Sequence, residues 1–187
     1  AGLADVSPGS VSKLLATLAV EGIVDRDDRG RVAVVRRRAL IRRWVRDYDF
    51  ARANTPVGYH IAPRGLGRTL TRLGEAGTAI ALTGSAAARR LLPEGTTSVV
   101  PLRLLALYAA APGALARELG LVDAEPAAAN VVLAAPQDPQ ILAPAGGLPL
   151  APTALVLADL LSLPNRSDAE ADQLMDALAR DDASWKE

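Results

Sequence analysis

The chain has 187 residues, half of them apolar, with 3% aromatic side chains and no cysteine. That length suits one medium domain or two small ones, with cores built from Ala, Val and Leu, and the lack of cysteine excludes disulfides and thiolate metal sites. The formal charge sums to zero, but residues 1–52 carry 11 Lys/Arg against 7 Asp/Glu, residues 53–120 carry 7 against 3, and residues 121–187 carry 3 against 11. A basic front and an acidic back suggest that only the front meets a polyanion. No secretory signal is visible, and Arg103, Pro112 and Asp159 interrupt the longest apolar stretches, so a soluble cytoplasmic protein without a membrane partner is expected.

Ser7-Pro8 reads as a helix start, because Ser caps well and Pro needs no N–H at the first position. Val11, Leu14, Leu15 and Leu18 follow as one apolar stripe, and Gly22 ends the helix. Residues 23–26 and 31–35 read as strands joined by the turn Asp27-Asp28-Arg29-Gly30. Residues 38–48 read as a connecting helix with Leu40, Ile41, Trp44, Val45 and Tyr48 on one face. Pro56, Gly58 and Pro63 mark a boundary around a short extended piece. Beyond it, helices and strands alternate. Helices are expected from Leu66, after Thr83-Gly84-Ser85, over Pro112 to Leu119 with Gly120 closing, over Pro152 to Leu161, and after a Ser167/Glu170 capping box. Strands are expected at residues 79–82, within residues 99–108 and at residues 131–133. The resulting fold class is α+β or α/β. The divisions are an N-terminal unit over 1–36, a connecting helix over 37–52 and a C-terminal mixed α/β domain over 53–187.

Helix, Gly and hairpin in that order suggest a winged helix-turn-helix. Such a module sets the first residues of its second helix against base edges in the major groove. Here those residues are Ser7, Gly9, Ser10, Ser12, Lys13 and Thr17. Small side chains let the helix approach closely, and Lys13 can reach a phosphate or a guanine. Arg26, Arg29 and Arg31 lie on the hairpin, suited to the DNA backbone or minor groove. Residues 36–46 hold six arginines, and Arg38 and Arg42 are candidates for added phosphate contact. A bland alternative stays open for each feature: an amphipathic helix before a solvated hairpin, and a solvated linker face. Residues 1–4 read as the tail of a preceding helix, so the module lacks its first helix here and further chain upstream is expected.

The run Ala4-Asp5-Val6-Ser7-Pro8-Gly9-Ser10-Val11-Ser12-Lys13-Leu14-Leu15, with residues 18–26, resembles the turn, recognition helix and wing passage of bacterial winged-helix regulators. Further on, residues 43–50 with Asn54, Ala62-Pro63-Arg64-Gly65, residues 81–88, residues 130–133 with Asp138-Pro139, and residues 152–161 resemble AbiEi-family antitoxins of type IV toxin–antitoxin systems in their actinobacterial form. The resemblance implies a DNA-binding repressor of its own operon, with a C-terminal domain that opposes a nucleotidyltransferase-like toxin. It implies double-stranded DNA as partner, no cofactor, no metal and no catalytic residue. A ligand-sensing repressor without a toxin partner is the alternative.

Strand, Gly-Ser and helix at residues 82–85 also occur in nucleotidyltransferases, which need paired carboxylates on the next strand to hold Mg²⁺. Residues 96–111 contain no Asp or Glu, so a tight turn is the favoured reading. His60 reads as a partly exposed loop residue. Asp168, Glu170, Asp172, Asp176, Asp181 and Asp182 read as a solvated face, with an acidic partner surface as the sharper option.

Overall fold

The computed structural model describes residues 6–142, 147–163 and 168–186. Helix α1 (Pro8–Val20) starts where Ser7 accepts a hydrogen bond from the Ser10 amide at 3.1 Å, with Pro8 in the first helical turn. A cap of this kind contributes about 1 kcal/mol. Gly22 follows the helix at φ 70°, a left-handed geometry that disfavours a side chain. Strands β1 (Val24–Arg26) and β2 (Val32–Val35) pair antiparallel. Asp27 shapes their turn, accepting from the Arg29 and Arg31 amides at 2.9 Å each. Leu18, Ile23 and Val24, backed by Val35, Ala39 and Leu40, form a small apolar cluster of their own. Leu14, on the same apolar stripe as Leu18, stays 58% exposed.

The connecting helix is shorter than the sequence reading. Helix α2 (Arg37–Trp44) ends in a turn, and α3 (Phe50–Ala53) starts afresh because the Asp49 carboxylate accepts from the Arg52 amide at 2.8 Å.

The rest of the chain builds a five-stranded mixed sheet from β3 (Val57–Ile61), β4 (Ile80–Thr83), β5 (Leu105–Ala109), β6 (Val122–Asp123) and β7 (Val131–Ala134), in the order β4-β5-β7-β3-β6. β5 and β7 run parallel and the other neighbours antiparallel. Every residue of β4, β5 and β7 is buried, so both sheet faces are covered, as a near-continuous apolar run requires. Helix α6 (Pro112–Leu119) packs on β3, β5 and β7, with α4 (Leu66–Glu75) beside it. Helices α5 (Gly84–Leu91) and α7 (Thr153–Ser162) pack on β4, and α8 (Asp168–Leu178) packs on α5 and α7. The protein is thus mixed α+β, with eight α-helices and two sheets among the described residues.

Gly120 closes α6 at φ 66°, the conformation its position after Leu119 predicts. Residues 99–104 form no strand, so that stretch contributes β5 alone. The two-residue β6 was missed because both its side chains are exposed and leave no apolar pattern. The expected turn at 164–166, the Ser167 end of the capping box and the helix tail at 1–4 lie outside the described residues. His60 corrects the loop reading: it sits in β3, 6% exposed, with Nδ1 3.0 Å from Asp123 Oδ1. Gly58 makes room for it, since a Cβ there would stand 2.6 Å from His60 Nε2. Among the described residues no helix is long and apolar enough to cross a membrane.

Candidate nucleic-acid interface

Helix α1 presents an almost bare polar edge. Gly9, Ser10, Ser12, Lys13 and Thr17 are all exposed. Two of the expected hydroxyls are already engaged: Ser7 Oγ and Ser10 Oγ share a hydrogen bond at 3.0 Å, and Thr17 donates to the Lys13 carbonyl at 3.2 Å. The Lys13 ammonium makes no hydrogen bond or ion pair with a described residue.

The hairpin arginines divide by role. Arg26 donates through Nε to the Gly30 carbonyl at 2.9 Å, and Arg31 pairs with Asp27 at 2.9 Å. Both brace the turn. The Arg31 and Arg29 amides, with the Arg31 side chain, hold the Asp27 carboxyl below the usual range. Arg29, at the tip, keeps an exposed guanidinium without a partner among the described residues. Arg36, not singled out as a candidate, fixes the hairpin to the end of α1. Its Nη1 donates to the Gly22 carbonyl at 2.8 Å, and its guanidinium forks onto both Asp25 oxygens at 2.9 Å each. That bidentate bond keeps the Asp25 carboxyl ionised to lower pH than usual.

Arg38 and Arg42 are arranged differently from the phosphate-contact expectation. Arg38 is 8% exposed and pairs with Asp176, while Arg42 pairs with Asp172, both on α8. Arg37 pairs with Asp182 at 3.0 Å, and Arg43 reaches Glu21 and Asp47. The physical reason is geometric: α2 lies along α7 and the 3₁₀ turn Ala183–Trp185, within reach of the acidic helix. Of the six arginines at 36–46, Arg46 alone faces no carboxylate among the described residues. The same pairs correct the reading of Asp172, Asp176 and Asp182 as a merely solvated face, and Glu170, read as part of that face, is buried at 1% exposure.

The Thr83-Gly84-Ser85 turn proves to be a double anchor. Thr83 donates its hydroxyl to Asp159 on α7, and Ser85 donates to Glu170 on α8 at 2.6 Å. Glu170 also accepts from Ser98 at 2.7 Å and lies 3.7 Å from Arg89 Nε. Asp159 accepts from Tyr48 and Tyr108 at 2.6 and 2.7 Å. Two carboxylates therefore flank Gly84, contributed by helices rather than by the following strand. They are 0% and 1% exposed, and their oxygens are taken by hydroxyls. A Cβ on Gly84 would stand 3.1 Å from Leu163 Cδ1 and 3.5 Å from Ala106 Cβ. What this arrangement does chemically is clamp α7 and α8 to the end of β4. Among the described residues no cluster of three His, Asp or Glu side chains is placed to hold a metal ion.

Phe50 is buried against Tyr108, with ring centroids 5.6 Å apart, whereas Trp44 stays 38% exposed beside Tyr48. No family model, curated protein or solved structure matches the chain.

Proposed function

We propose that the protein is a DNA-binding transcriptional regulator. Its groove-reading element is the first turns of α1, and its wing is the β1–β2 hairpin. The observation that carries this reading is the bare polar edge of α1, with Lys13 and the hairpin tip Arg29 both exposed and uncommitted. Pro8 has no amide N–H and the Ser10 amide is taken by Ser7, so approach to a groove rests on the small exposed residues Gly9, Ser10 and Ser12. The braced hairpin supports the same reading, because a wing must hold its shape to contact the backbone. DNA contact is accordingly carried by Ser10, Ser12, Lys13, Thr17 and Arg29. Ser7, Arg26 and Arg31 position them, and Arg38 and Arg42 tie the unit to the acidic helix.

The resemblance to AbiEi antitoxins makes the proposal more specific: a repressor of its own operon whose larger domain opposes a nucleotidyltransferase-like toxin. A nucleotidyltransferase activity in this chain itself is disfavoured by the burial of Asp159 and Glu170, which leaves no open oxygen for a metal. The ligand-sensing alternative is favoured by one observation. A groove of about 520 Å³ lies between Val35, Leu40 and Ile41 on one side and Thr153, Ala154 and Trp185 on the other. That is where a ligand would couple the two units.

A mobility-shift assay of the full-length protein on DNA from upstream of its own gene tests the proposal. A sequence-selective shift at low salt is expected; its absence counts against the regulator reading. Co-expression with the product of a neighbouring toxin gene, read as growth rescue, tests the antitoxin part.

A further inference from the structure

A cleft of about 240 Å³ lies between α4 and the end of α6. Arg64, Arg68 and Arg72 line it, and no acidic side chain does. Arg72 is fixed in place: its guanidinium donates to the Leu119 carbonyl at 2.7 Å and to the Glu118 carbonyl. These are carbonyls that the end of a helix leaves without partners. Arg64 and Arg68 are exposed, and their guanidinium groups form no ion pair or hydrogen bond with any described residue. The contrast with α2 is sharp, since its arginines meet carboxylates at almost every position. Three guanidinium groups around one recess raise its potential, and an anion placed there gains charge-assisted, forked hydrogen bonds. Pro63, Leu119 and Leu121 supply apolar wall beside them.

We propose that this cleft binds a small phosphate monoester. Arg64 and Arg68 clamp the phosphate, Arg72 provides a fixed positive charge, and Leu119 and Leu121 take the ligand's apolar part. The recess is smaller than the ~300–1,000 Å³ usual for drug-sized ligands, so it fits a phosphate with a compact organic group. The inference is independent of the DNA reading, because neither α1 nor the hairpin contributes to the cleft.

The test is a titration of the full-length protein with phenyl phosphate and with inorganic phosphate at constant ionic strength. It is followed by calorimetry and amide chemical shifts, with a short DNA duplex as a parallel arm. Saturable binding is expected, tighter for phenyl phosphate than for inorganic phosphate. An Arg64→Gln/Arg68→Gln variant is expected to lose about tenfold or more in affinity, as loss of charge-assisted bonds implies. Its ligand-free thermal midpoint should stay unchanged, because both side chains are exposed. Three results overturn the proposal: no saturation at constant ionic strength, equal affinity in the variant, or a variant that weakens only duplex binding while neither phosphate binds.

Discussion

Tyr48 donates its hydroxyl proton to Asp159 Oδ1 at 2.6 Å, tying the segment after α2 to the helix α7 that covers the sheet. Asn54 adds to the link, donating to the Tyr48 oxygen at 3.3 Å. The connecting segment is therefore joined to the larger domain by a part-buried polar knot as well as by the pairs that Arg37, Arg38 and Arg42 form. Replacing Tyr48 by Phe removes one hydrogen bond to a charged group, and a loss of about 1.5–3 kcal/mol is expected from urea unfolding.

Asp159 gives the fold a pH dependence of unusual sign. Burial pushes its carboxyl up to about 6, against the downward pull of the Thr83, Tyr48 and Tyr108 hydroxyls. A carboxyl with a raised value in the fold binds its proton more tightly there than in the unfolded chain, so its contribution weakens as pH rises from about 4 to about 6. A rise of about two units corresponds to roughly 3 kcal/mol. Asp25, Asp27 and Asp182, held low by Arg36, by the Arg31 amide and by Ser184, act oppositely and lose their contribution below the usual carboxylate range. Denaturant unfolding at pH 4.5 and 7.5 should show wild type losing stability relative to Asp159→Asn over that interval. Parallel profiles would mean that Asp159 does not set this pH dependence.

Gly84→Ala should destabilise by about 1–3 kcal/mol, combining a strained left-handed backbone with overpacking. The backbone there sits at φ 56°, and the added Cβ meets Leu163. Chemical unfolding measures the loss. A neutral result would mean that α5 can shift away from α7.

Arg38 and Asp176 should couple. Arg38 is nearly buried while Asp176 is two-thirds exposed, so solvent screens the pair and a double-mutant cycle should return about 0.5–1 kcal/mol. The asymmetry predicts that Arg38→Ala costs more than Asp176→Ala, since Arg38 also loses its packed stem. The coupling should shrink in high salt.

Local chemistry was readable in the sequence where a residue acts on its immediate neighbours. Ser7 and Pro8 mark the start of α1, Gly22 and Gly120 mark helix ends, and the Asp27 turn follows from its own carboxylate. The anchors of the larger domain were not readable, because Thr83 meets Asp159 across 76 positions and Ser85 meets Glu170 across 85. Nothing in the spacing marks such partners. The charge imbalance between the chain's two ends was plain, but its meaning was not: α2 and α8 neutralise one another across about 130 positions or more. Of the groove-facing candidates, Lys13 and Arg29 keep the exposure their positions suggested, while Arg26 and Arg31 turn out to brace the hairpin.

Entry of the α1 edge into DNA, as proposed, makes Lys13 the residue whose charge matters most. Fluorescence anisotropy on a duplex from the protein's own upstream region, across a salt series, tests it most directly when wild type is set beside Lys13→Glu. The variant should fold normally, since Lys13 is exposed. It should bind about tenfold or more weakly, with a salt slope shallower by about 1–2. Undiminished affinity with an unchanged slope in the variant would mean that the α1 edge does not meet DNA.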